Sequence, residues 1–241
     1  MDMIRQPERM KHTPPLIRLF HVCKRFEKKN ALVDVTLDIL KNEFVFICGP
    51  SGAGKSTLLK LLFLGEPVSE GQIIVDGINL SRIPRKKIPY LRRDFGIIFQ
   101  DFKLIPTKTV FENVALVLEA KGKSGKTAQK KVKSVLRFVD MEKKQHAYPP
   151  TLSGGEQQRV AVARAVAGDP KIILADEPTG SLDTASADVI ITLLRRFHSR
   201  GATVITATHD ESLVEKIGGR ILRLENGRIG SADDVSMSVA T

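Results

Sequence analysis

The hydrophobic pattern changes character along the chain. From Leu16 to Ile39, the apolar positions Ile17, Leu19, Phe20 to Val22, Val33, Val35, Leu37 and Ile39 alternate with polar ones such as Asp34, Thr36 and Asp38. A period of two with one wet side predicts strands of an antiparallel sheet. Phe44 to Cys48 is apolar throughout, and Lys171 to Ala175 and Thr203 to Ala207 repeat that character. Such runs suit strands covered on both faces and predict a central parallel sheet. Between residues 101 and 167 the spacing turns helical. Thr109 followed by Glu112 has the form of a capping box, and Val132, Val135, Leu136 and Val139 recur at helical intervals with Lys130, Lys131, Lys133 and Arg137 on the remaining faces. The sum is an α/β chain, with an N-terminal antiparallel β sub-domain and an inserted α-helical sub-domain at about 101–167. Residues 1–15 and 231–241 read as loose tails around a body at 16–230.

A length of 241 residues suits one large domain, or one carrying a sub-domain. The 42% hydrophobic and 27% charged composition is globular and excludes disorder as the main state. A net charge of +11 makes an anionic neighbour the expectation: nucleic acid, lipid headgroups or a phosphorylated small molecule. Cys23 and Cys48 are too few and too far apart for a zinc site or a disulfide framework, and Cys48 reads as a small buried hydrophobe. No apolar stretch has the length of a membrane span, and residues 1–15 lack the apolar centre of a signal peptide. The expectation is a cytosolic protein whose membrane role, if any, comes through a partner.

Gly49-Pro50-Ser51-Gly52-Ala53-Gly54-Lys55-Ser56-Thr57 follows the buried strand and opens the apolar helix beginning at Leu58. This is the Gly-x4-Gly-Lys-Ser/Thr phosphate loop in its required strand-to-helix context, and it predicts a P-loop NTPase core. Glycines let successive backbone N–H groups curl around an oxyanion, and the helix start adds partial positive charge. Lys55 supplies a full charge to the β and γ phosphates, and Ser56 offers a hydroxyl to Mg2+, which binds through few protein oxygens.

A second buried strand ends in Asp176-Glu177, placing two acids at the carboxyl edge of the sheet, where open α/β folds bind ligands. Asp176 is expected to hold the Mg2+, through water, and Glu177 to deprotonate the water that attacks the γ-phosphate. Leu152-Ser153-Gly154-Gly155-Glu156-Gln157-Gln158-Arg159 then introduces a helix running from Val160 to Val166. Ser153, Gly154 and Gly155 at a helix start make a second anion cradle. The first loop already encloses one side of the phosphates, so the second is expected to serve a nucleotide held by another copy. Reciprocal contacts of that kind give a two-fold, head-to-tail dimer with two ATP molecules at its seam.

Together these motifs resemble the ATP-binding subunits of ABC transporters over roughly residues 16–230. The resemblance implies an Mg-ATP hydrolysing subunit and carries over further residues. Gln100 matches the glutamine that touches Mg2+ and the attacking water, and His209 matches the switch histidine on the γ-phosphate. Ser181-Leu182-Asp183 looks like the loop that crosses the dimer seam, Glu156 belongs to the signature, and Phe26 falls where an aromatic ring stacks on adenine. The groove near Gln100 to Thr107 is where a permease's cytosolic helix would dock.

Ile88 to Arg93, Ile98 to Phe102, Thr109 to Val114 and Ala175 to Gly180 look most like the bacterial cell-division branch of the family, whose close relatives serve lipoprotein release and the MacB type of exporter. That branch implies peripheral attachment to the inner face of the plasma membrane. Its permease-like membrane partner relays dimer closure to cell-wall hydrolases. Six lysines between Lys121 and Lys133 form either a solvated face or a contact for anionic inner-leaflet lipid. A soluble ABC ATPase acting on nucleic acid is disfavoured by a single ATP-binding core, the lack of a long coiled-coil insert and 5% aromatic content. Glu177 and His209 argue against an ATP-binding switch that does not hydrolyse.

Overall fold

The computed structural model describes residues 14–27, 29–210, 214 and 217–230. The expected tails at 1–15 and 231–241 lie outside the described residues, apart from Pro14 and Pro15. Strands β1 (Ile17–Phe26) and β2 (Lys29–Ile39) pair antiparallel. Ile17, Leu19, Val22, Val35, Leu37 and Ile39 turn inward and are buried, while Arg18 and Asp38 pair across the wet side. The alternation slips near Val33. Leu32 takes the buried position and Val33 is only half-covered, because Asp34 adopts a left-handed φ of 56° within a run of register shifts that re-aims the strand.

The chain continues through β3 (Phe44–Cys48), α1 (Lys55–Leu62), β4 (Glu70–Val75), β5 (Ile78–Asn79), α2 (Ile88–Arg92) and β6 (Phe95–Ile98). Three helices follow, α3 (Val110–Ala120), α4 (Gly125–Phe138) and α5 (Gly154–Val166). The chain then returns to β7 (Ile172–Asp176), α6 (Thr184–His198), β8 (Thr203–Thr208), β9 (Arg220–Glu225) and β10 (Arg228–Ile229). One sheet has the order β2-β1-β4-β5 and is antiparallel throughout. The other has the order β10-β9-β3-β8-β7-β6 and is parallel except for β10.

The fully apolar runs are the covered strands, and their alternate residues feed two separate cores. Phe44, Phe46, Ile173, Ala175 and Val204 face α3, α4, α5 and α6. Val45, Ile47, Ile172, Leu174 and Ile205 face α1 and the antiparallel sheet. Each valine, leucine, isoleucine or phenylalanine buried this way contributes about 1.5–3 kcal/mol. The capping box at Thr109 and Glu112 forms with both of its hydrogen bonds. On α4, Val132, Val135 and Leu136 are buried, as their spacing predicts.

Candidate functional site

The parallel strands all point one way, so β3, β6, β7 and β8 deliver their carboxyl ends to one edge of the sheet. There a cavity of about 640 Å3 opens between the β1–β2 hairpin, the 49–54 turn, Gln100, Glu177 and His209. The turn exists because glycine allows it. Gly54 sits at φ 110°, and a Cβ there would come within 2.4 Å of the Ala31 carbonyl oxygen, which no other residue tolerates. Pro50, Ser51, Gly52, Gly54, Lys55, Ser56 and Thr57 line the cavity, whereas Ala53 is buried behind the turn and Gly49 lies at its base. The Lys55 side chain is only 7% exposed. Its Nζ donates to the carbonyls of Gly49 (2.7 Å) and Pro50 (3.2 Å) and lies 3.5 Å from Glu177 Oε1.

The two acids have different surroundings. Asp176 ends β7 and accepts a hydrogen bond from Ser56 Oγ at 2.9 Å. Burial pushes its carboxyl above the ordinary aspartate range, against the lowering effect of that bond. Glu177 lies just past the strand at a left-handed φ of 46°. Its N–H donates to the Ala207 carbonyl at 2.9 Å, which turns the side chain back over the edge toward Lys55 and His209. The carboxylate is 12% exposed, and Oε2 lies 2.9 Å from His209 Nδ1. Ser56, bonded to Asp176, lines the cavity together with Gln100, and hydroxyl, carboxylate and amide oxygens are the donor types suited to a small divalent cation such as Mg2+.

Phe26, 41% exposed, lines the far side of the cavity with the Lys24 ammonium 4.6 Å from its ring centroid. Lys24 is itself buried and bonded to Glu66 and the Pro67 carbonyl. One side of the ring is thus already occupied by a cation.

The Ser153–Glu156 turn is not part of this cavity wall. Ser153 caps α5 and shares a capping box with Glu156. Lys144 Nζ, at 2.5 Å from Glu156 Oε1, is the main reason that carboxyl is held below the usual range. A Cβ on Gly155 would strike Ser186 Oγ, so the glycine seats the start of α5 against α6. Asp183 caps α6 and accepts from the Ser186 N–H at 2.9 Å. Ser153, Gly154 and Asp183 are exposed and share one outward edge through the contact of α5 with α6.

Several contributing residues carry no motif. Lys29 lines the cavity but reads in the sequence as an ordinary hairpin lysine. Gln158, buried on α5, donates to the Pro178 carbonyl at 2.7 Å, tying the signature helix to the turn after Glu177. Arg164 reaches from α5 to the carbonyls of Phe102 and Lys103, both left-handed, just beyond Gln100. Of the six lysines at 121–133, Lys121 donates to the Gly168 carbonyl and Lys131 pairs with Asp169, while Lys123, Lys126, Lys130 and Lys133 are exposed. Among the described residues no helix is long and apolar enough to cross a membrane.

Comparison with known proteins bears on the same residues. A family model described as ABC transporter matches residues 32–180. The cell division ATP-binding protein FtsE of Streptococcus pneumoniae serotype 2 is 41% identical over 215 residues, covering 89% of this chain and 94% of that one. FtsE of Escherichia coli K12 is 43% identical over 215 residues, covering 89% and 97%. The dimeric structure of an ATP-binding cassette in a post-hydrolysis state, bound to ADP and Pi, superposes with a TM-score of 0.83. It is 38% identical, covering 90% of this chain and 97% of its own.

Proposed function

The chain belongs to the ABC transporter family as an ATPase subunit similar to FtsE, and on that premise we propose that ATP-driven closure of its dimer acts on an FtsX-like membrane partner in cell division. The catalytic unit is residues 16–230, with the helical sub-domain at about 101–167.

ATP lies with its phosphates in the Gly49–Thr57 loop and its base on Phe26. Lys55 moves from the loop carbonyls to the phosphate oxygens. Ser56, Asp176 and Gln100 would hold Mg2+, whose charge offsets that of the β and γ phosphates. Glu177 takes the proton of the attacking water, and His209, 2.9 Å from it, holds the carboxylate in place and contacts the γ-phosphate. The observation that carries this reading is the convergence of Lys55, Glu177 and His209 at the mouth of the loop, beside the Ser56–Asp176 bond.

The exposed edge of Ser153, Gly154 and Asp183, with Gly155 and Glu156 behind it at the start of α5, lies outside the protein's own cavity wall and completes the pocket of a second copy. Its separation from the cavity wall, and the likeness to a dimeric cassette, support that arrangement. The membrane partner docks beside Gln100 to Thr107, which puts the subunit on the inner face of the bacterial plasma membrane. Lys123, Lys126, Lys130 and Lys133 add attraction to anionic inner-leaflet lipid, about 1 kcal/mol per residue near the surface.

Glu177→Gln tests the chemistry. Mg-ATP binding is retained, and phosphate release in single-turnover assays falls about 10² to 10⁴-fold. Turnover close to the parent's removes Glu177 from the role of base.

A further inference from the structure

A second lysine stands on the rim of the cavity. Lys29 opens β2 and stands directly opposite Phe26 in the antiparallel register. Both line the cavity. A Cβ built on Gly52 would lie 3.6 Å from Lys29 Nζ, so the ammonium hangs over the exposed shoulder of the phosphate loop. Lys55 is buried on the inner side of the same loop, where two backbone carbonyls hold it. The two cations thus bracket the loop, one from inside and one from the solvent side. Among the described residues no carboxylate is paired with Lys29.

We propose that Lys29 is a second phosphate-contacting cation, which closes the open side of the loop over the phosphate chain of the nucleotide. The proposal rests on the reading of this cavity as the ATP site and adds a residue to it. Residues paired across a hairpin sit about 4.5–5.5 Å apart, so one rigid element carries both the ring that stacks on the base and the charge that meets the phosphates. Lys29 stands on the solvent side of the loop, away from Lys55. It covers that side within a single chain.

Calorimetric titration of the full-length protein with Mg-ATP and with inorganic tripolyphosphate separates the two halves of that element. Lys29→Ala weakens both ligands about three- to tenfold, the range for one charge-assisted contact that stays partly solvated, and binding falls less steeply with added salt. Lys29→Arg binds both close to the parent. Phe26→Ala weakens ATP and leaves tripolyphosphate unchanged. Lys41→Ala, which removes an exposed charge from the turn before β3, changes neither.

Three results overturn the proposal: a Lys29→Ala protein that binds both ligands like the parent, one that loses ATP but not tripolyphosphate, as a merely structural hairpin residue would, or an equal loss in Lys41→Ala. Failure of the parent itself to bind Mg-ATP is a different outcome and overturns the reading of the cavity.

Discussion

Glu177 occupies a backbone conformation that costs a non-glycine residue about 1–3 kcal/mol, and its neighbours fix it there. The Ala207 carbonyl takes its N–H, Lys55 lies beside one carboxylate oxygen and His209 beside the other. The sequence supplies the identity of this acid but not its geometry, since nothing in Asp176-Glu177-Pro178 announces a left-handed residue. Glu156 makes the same point. Its place in a serine-led capping pattern is visible from the spacing, whereas its ion pair with Lys144, twelve residues earlier, depends on the tertiary fold. That pair gives a pH-dependent prediction. The carboxyl is held low chiefly by Lys144, so the folded state favours the ionised form. The stabilisation is present at neutral pH and is lost as pH falls through the lowered value. Glu156→Gln keeps the box but not the charge. Urea unfolding should show a loss of about 0.5–1 kcal/mol at neutral pH that vanishes in acid, and a pH-independent difference would exclude the ion pair as its source.

At the scale of elements, the strands with continuous apolar runs were legible because burial on both faces leaves no polar alternation to misread. β2 was less so, because the bulge at Asp34 shifts which residue turns inward. Helix α5 carried a readable glycine signature, but its reach was not readable. It touches the turn after Glu177 through Gln158 and the segment after Gln100 through Arg164. Arg164 is half-buried, and desolvation lowers its pKa. Its hydrogen bonds go to the backbone carbonyls of two left-handed residues, Phe102 and Lys103. Arg164 is therefore a positioning residue that holds the Gln100 segment against the signature helix. Replacing it with Met removes both bonds. We expect a stability loss of about 1–3 kcal/mol and a kcat that falls while the KM for ATP stays near the parent's. Steady-state kinetics check this, and an unchanged kcat in a folded variant would show that the contact is structural only.

For the whole molecule, the excess of basic residues says less than their placement. Lys55 and Lys29 stand at the cavity, Lys121 and Lys131 are tied to other parts of the chain, and four lysines of the 121–133 stretch remain exposed. In a single chain the phosphate loop, Glu177 and Phe26 line one cavity. Its signature turn is on another edge, where its own cavity does not reach. In the proposed dimer the two edges meet when two molecules face each other head to tail. Sedimentation velocity of the Glu177→Gln protein across a concentration series, with and without Mg-ATP, tests this most directly. We expect a monomer without nucleotide and a dimer with it, abolished when Ser153→Arg is added. A protein that stays monomeric with Mg-ATP at every concentration, or a dimer indifferent to Ser153, would contradict it.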